Sequence, residues 1–227
     1  MNLPEWRVFA DADALVAALA DALQAQAAAA IAARGAFHLV LAGGSTPLAL
    51  YRTLADRNAG DARWLLWYGD ERCLPADHPE RNSVMLEGAW LAASAIPPEN
   101  RRPIPTEGGA AGAAMQYSEW LARAPEFDLV LLGVGEDGHT ASLFPGHAWN
   151  GPDALAVQRA PKPPPERVSL SAARLSRSRK VWFVITGAGK REALRRWRGG
   201  EALPASAVAG RQETAAWLDA AAWPPDD

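Results

Sequence analysis

The sequence predicts an α/β fold with its reactive side chains gathered on one edge of a parallel sheet. Three observations predict it. The runs Phe37–Ala42, Trp64–Tyr68, Leu129–Leu132 and Lys180–Thr186 are nearly continuous in apolar residues, as strands buried on both faces are. Each run ends in glycine and polar or ionisable residues: GGSTP from Gly43, GDER from Gly69, GVGEDGHT from Gly133 and GAGK from Gly187. Helical patterns lie between them. In a parallel sheet all these ends fall on one edge, where doubly wound folds bind ligands.

Taken in order, Trp6–Ala10 reads as a first strand. Asp11 or Asp13 suits the cap of a helix that carries Leu15, Leu19 and Leu23 on one face. Its alanine-rich continuation to Arg34 favours helix, and Gly35 is a natural stop. After the second strand, Gly43-Gly44-Ser45-Thr46-Pro47 opens a helix over 48–55, with Ser45 or Thr46 as cap and Pro47 at the first helical position. Glycines and hydroxyls at a helix start make an anion cradle, because free amides and the helix dipole point at it. The third strand ends in three consecutive charges, Asp70, Glu71 and Arg72. Residues 100–114, rich in Pro, Gly and Ala, read as a loop, and 115–123 as a helix.

The stretch from Asp128 to His147 organises the rest. His139 is the one histidine of four that stands among glycines at the exit of a buried strand, with Asp137 two residues earlier. The spacing Gly133-x-Gly135-x-x-Gly138 also matches a dinucleotide fingerprint. Glu136 and Asp137 would repel a pyrophosphate, and Pro145 leaves little room for the helix that fingerprint needs. Residues 155–158 read as a short strand. The tract Ala160–Pro165 can be neither helix nor central strand, and reads as a stiff arm that aims Arg167 at the head of the strand RVSLS. Gly187–Lys190 is not a P-loop, since Arg191 stands where a hydroxyl should be, but a lysine after glycines suits an anion. Residues 211–222 read as an amphipathic helix, and Pro224 onward as a tail.

The convergent edge would carry amide cradles, Arg72, Arg167 and Lys190 for an anion, and His139, Asp137, Asp70 and Glu71 for proton transfer. That inventory fits a small phosphorylated substrate and acid–base chemistry with no metal or other cofactor. Whole-chain properties agree. A length of 227 residues fits one domain, 1–227, able to bury roughly 70% of its unfolded surface. The net charge of −3, with signs interspersed, offers no basic stripe for nucleic acid or a membrane surface. Cys73 is the single cysteine, which fits a reducing compartment, the cytoplasm; it reads as a spectator. No signal-peptide layout opens the chain, and no stretch of about eighteen apolar residues is read in it, so nothing is expected to span a membrane.

These motifs, in this order, resemble the 6-phosphogluconolactonases of the glucosamine-6-phosphate isomerase/6-phosphogluconolactonase family. The resemblance covers nearly the whole chain: residues 41–47, 69–82, 133–145, 160–171, 187–190, and the LPAS and WLDAAA segments near the end. Arg72 and Thr140 follow the lactonase pattern, where the deaminase branch has tyrosine and isoleucine. Arg81 departs from the serine usual before Asn82. The resemblance implies a Rossmann-like, mostly parallel sheet in an α/β/α sandwich with a small additional sheet. It implies hydrolysis of a phosphorylated sugar lactone in the oxidative pentose phosphate pathway by a chain that is a monomer or weak homodimer. His139 would activate water and Arg72 would neighbour the lactone carbonyl. Gly43, Gly44, Ser45, Thr46, Asp70, Arg167 and Lys190 would hold the substrate and its phosphate. An isomerase or deaminase acting on a sugar phosphate, and a non-catalytic sugar-phosphate sensor, remain the alternatives.

Overall fold

A computed structural model describes residues 3–224. The strands are β1 (Glu5–Phe9), β2 (Phe37–Leu41), β3 (Trp64–Tyr68), β4 (Asp70–Arg72), β5 (Arg101–Arg102), β6 (Phe127–Leu132), β7 (Ala154–Val157), β8 (Arg167–Leu170), β9 (Ser178–Ile185) and β10 (Glu213–Asp219). The helices are α1 (Ala12–Arg34), α2 (Ser45–Asp56), α3 (Asn82–Ala89), α4 (Gly109–Ala122), α5 (Ala172–Ser176) and α6 (Arg191–Arg198). Seven strands form one sheet in the order β1-β10-β9-β6-β2-β3-β5. Every pairing in it is parallel. A second sheet of three antiparallel strands runs β4-β8-β7. The fold class expected from the sequence is the one observed.

The site-bearing strands sit together in the middle of the large sheet, and their residues are almost all buried, β6 along its whole length. Two buried tyrosines pin strand ends just before the functional loops. The Tyr51 hydroxyl, on α2, accepts from the Ala42 amide at 3.0 Å and donates to the Ala42 carbonyl at 2.9 Å. The Tyr117 hydroxyl, on α4, accepts from the Tyr68 amide at 2.9 Å. Gly69 then joins the two sheets: its amide donates to the Leu41 carbonyl and its carbonyl accepts from the Leu170 amide.

The cap of α1 is as expected, with Asp11 accepting from the Ala14 amide at 2.8 Å and Gly35 in the left-handed region. By length and composition α1 is apolar enough to cross a bilayer, which corrects the expectation that no such stretch exists. Its alanines account for this. Its buried face, Leu15, Leu19, Leu23, Ala27 and Ala30, belongs to the core. Helix α2 starts at Ser45 with Gly44 before it, and no side chain caps it, so neither Ser45 nor Thr46 is the cap, and Pro47 is the third helical residue and not the first.

Three further expectations are corrected. Residues 211–222 are not a helix: they contain β10, whose Ala215 and Trp217 pair with β1 and β9. A central position between two parallel strands overrides the helix preference of the alanines. The expected loop at 100–114 holds a two-residue strand, a 3-10 turn and the first turns of α4. Asp70–Arg72 is a strand of the small sheet despite its charges. The tail expected from Pro224 lies, beyond that residue, outside the described residues.

Candidate active site

The strand ends enclose a cavity of about 330 Å³. Gly43, Gly44, Ser45, Thr46, Asp70, Arg72, His139, Arg167 and Lys190 all line it. Asp137 does not, but it holds His139. The structure therefore brings together every residue singled out for the site except Glu71, which has another role described below.

His139 is fixed by its own loop. The Gly135 amide donates to the His139 carbonyl at 2.8 Å, and the Thr140 hydroxyl donates to the Gly133 carbonyl at 2.8 Å. The imidazole lies so close over Gly135 that a Cβ there would stand 2.0 Å from Nδ1. Gly135 is therefore glycine for space. Gly138 is glycine for conformation, at φ +86°, and the Ala205 amide donates to its carbonyl. Nδ1 of His139 lies 2.5 Å from Oδ1 of Asp137, and the ring packs 4.8 Å from Phe144, centroid to centroid. Asp137 as acceptor puts the proton on Nδ1, which leaves Nε2 as the basic nitrogen. Burial lowers the His139 pKa below the ordinary imidazole value, against the opposing pull of Asp137. The imidazole is thus neutral at pH 7. Burial is the largest single influence on Asp137 and raises its pKa, but the side-chain hydrogen bond from His139, the charge of that ring and the backbone amides together hold the carboxylate below its ordinary range.

The anion side has several parts. The first amides of α2 have no intrahelical partner and no side-chain cap. Thr46 Oγ1 lies 2.6 Å from Thr186 Oγ1, another lining residue. The proline tract does aim Arg167, by folding its carbonyls onto the guanidinium. Nε donates to Pro164 at 3.1 Å, and Nη2 donates to Pro163 at 2.8 Å and Lys162 at 3.1 Å. The Lys190 amide donates to the Gly187 carbonyl at 3.1 Å, and its side chain makes no hydrogen bond among the described residues. Burial lowers its pKa, with Glu136 opposing and Lys162 adding to the fall. Arg72 donates from Nη1 to the Glu80 carbonyl, while its Nε is buried without a partner. Asp70 is tied on both sides: Oδ2 accepts from Ser142 Oγ at 2.6 Å and Oδ1 from Asn82 Nδ2 at 3.0 Å.

Glu71, expected among the proton-transfer groups, faces away from the cavity. It is fully buried and accepts from the backbone amides of Arg72, Asn82 and Ser83, each at 2.8 Å. It serves as the cap of α3. Sequence reasoning missed Lys162, Phe144 and Asn82. Lys162 was hidden in the proline tract, where its spacing to Arg167 was the available signal. Phe144 gave none, being one apolar residue among many.

Cys73 is half-buried beside the site, and burial pushes its thiol up to about 11. That value argues against a thiolate nucleophile at neutral pH.

A neutral histidine backed by a carboxylate, facing a cavity lined by Arg72, Lys162, Arg167 and Lys190, defines an α/β enzyme site suited to base chemistry on a small anion. Residues 10–217 match the family of glucosamine-6-phosphate isomerases/6-phosphogluconolactonase. The chain belongs to that family. It is 39% identical over 237 residues to a 6-phosphogluconolactonase of Mycobacterium tuberculosis, which covers 93% of this chain and 94% of the relative. Among solved structures, 6-phosphogluconolactonase from Thermotoga maritima superposes with a TM-score of 0.89 at 26% identity, over 96% of this chain and 100% of that one. The Trypanosoma brucei 6-phosphogluconolactonase gives 0.85 at 28% identity, over 96% and 97%.

Proposed function

We propose that the chain hydrolyses 6-phospho-D-glucono-1,5-lactone to 6-phosphogluconate, the lactone-opening step of the oxidative pentose phosphate pathway. The observation that carries the mechanism is the His139–Asp137 pair opening into the cationic cavity. Nε2 of His139 takes a proton from water as its oxygen attacks the lactone carbonyl carbon. Asp137 stabilises the imidazolium that forms. Arg72, which lines the cavity, and the loop amides stand as donors for the oxyanion; one such donor supplies about 2.7–4 kcal/mol. As the tetrahedral intermediate collapses, the ring C–O bond breaks and the imidazolium returns the proton to the departing ring oxygen. Ser45, Thr46, Arg167, Lys190 and Lys162 hold the phosphate, and Asp70 accepts from a sugar hydroxyl. Fixing the phosphate keeps carbonyl, water and base aligned.

The reading takes residues 1–227 as one catalytic domain, a monomer or weak homodimer in the cytoplasm. It acts on a small phosphorylated lactone without nucleic acid or membrane as partner. The test is incubation with the lactone while acid release is followed against the spontaneous rate. Acid release above that rate supports it. Ketose–aldose interconversion without lactone turnover would favour an isomerase, and binding without turnover a sensor.

A further inference from the structure

Arg81 occupies a position where a cation is disfavoured. It immediately precedes α3, whose N-terminal amides repel positive charge, and it is only 3% exposed. Two carboxylates compensate. Arg81 Nε stands 3.7 Å from Glu71 Oε2, and Nη1 donates to Glu107 Oε1 at 2.7 Å. Nη2 reaches the Ile104 carbonyl at 3.4 Å, and Nε itself makes no hydrogen bond. The guanidinium is clamped between a fully buried acid and a half-exposed one.

Neither Arg81 nor Glu71 lines the cavity, but the groups that Glu71 holds do. Its Oε1 fixes the amides of Arg72 and Asn82, two lining residues. Asn82 in turn donates from Nδ2 to the carbonyl and the carboxylate of Asp70. Its Oδ1 lies 2.0 Å from where a Cβ on Gly43 would be, so it presses on the anion cradle. One buried carboxylate thus sets two walls of the site. Without the Arg81 guanidinium the Glu71 carboxylate is held by the amides of Arg72, Asn82 and Ser83 alone, and its burial is less well compensated. A shift of that carboxylate moves the start of α3, and with it Asn82, Asp70 and Arg72.

We propose that Arg81 is a positioning residue for the lactone reaction: by neutralising Glu71 and anchoring to Glu107, it sets where Arg72 and Asn82 stand in the cavity. This inference rests on the hydrolase reading above. A packing role alone would lower stability and leave turnover per folded molecule unchanged.

The test compares wild type with Arg81→Gln, Arg81→Lys, Glu107→Gln, Arg72→Ala and the Arg81→Gln/Arg72→Ala double variant. Lactone kinetics are normalised to the folded fraction by circular dichroism. Arg81→Gln is expected to lower kcat/KM roughly tenfold, within the range for residues coupled in one network. Arg81→Lys should recover part of the loss, and Glu107→Gln should lose less in the same direction. The double variant should lose less than the product of the two single losses, because Arg81 acts partly through Arg72. Folded Arg81→Gln with wild-type kcat and KM, or losses that simply multiply, overturns the proposal. If Arg81→Gln does not fold, wild-type kinetics in both Arg81→Lys and Glu107→Gln overturn it. A wild type without lactone turnover would instead sink the hydrolase reading.

Discussion

Replacing Asp137 by Asn separates the base from the group that supports it. Asn keeps the size of the side chain and an oxygen that can accept from His139 Nδ1, but it removes the charge. In the native protein that charge lies 2.5 Å from Nδ1. Once the imidazolium forms, a hydrogen bond to a charged group is worth about 1.5–3 kcal/mol. The Asp137 side chain is 36% exposed, so solvent screening favours the low end. About 1.4 kcal/mol is tenfold in rate, so kcat should fall by roughly one order of magnitude. The pH profile should move as well. The base must be neutral, so kcat falls as pH drops through the His139 pKa. Burial lowers that pKa and Asp137 opposes the fall. Without the carboxylate, only the weaker pull of Asp70 opposes burial and Lys162, and the acid limb shifts to lower pH. The assay is steady-state lactone hydrolysis across pH, corrected for spontaneous opening. A limb that stays in place or moves to higher pH would refute the reasoning. So would a loss as large as that of removing His139 itself.

The remaining expectations use the same assay. His139→Asn should lower kcat by roughly 10²–10⁴ with little change in KM, and should abolish the acid limb; a folded variant with near-normal kcat would mean another base. Lys190→Ala should raise KM strongly, and inorganic phosphate should compete with substrate more weakly in this variant than in wild type; unchanged constants would place the phosphate elsewhere. Cys73 should react slowly with iodoacetamide at neutral pH, since burial holds its thiol near 11, and Cys73→Ser should keep activity within a few-fold. Rapid alkylation that abolishes activity would contradict that reading.

What the sequence disclosed about the site depended on chain locality. The cradle at 43–46, the loop at 133–140 and the turn at 187–190 each carry their glycines and reactive groups in one short stretch, so their convergence followed from the sheet direction alone. Interactions across the fold stayed hidden. Helix α3 has no local cap, because its cap is Glu71, eleven positions before Asn82. Asp-Glu-Arg has no strand character by composition and becomes one only by pairing with β8. In β10, Ala215 and Ala216 read as helix formers until parallel neighbours on both sides supply their hydrogen bonds. Tyr51 and Tyr117 could not be matched to the strand ends they pin, since nothing near them in sequence marks those partners.

The strand order has a bearing on how the chain matures. The first strand, β1, pairs only with β10, so Glu5 finds its neighbour at Ala215. During vectorial synthesis β1 stays without its sheet partner until Glu213–Asp219 has emerged. The four strands that carry the reactive loops need no such wait: β2, β3, β6 and β9 pair among themselves and are complete by Ile185. The chain can therefore assemble its catalytic centre early and close its flank last. Closing a contact over so long a separation is slow compared with local pairing. The exposed edge of β9 is then the surface most open to mispairing on a crowded ribosome.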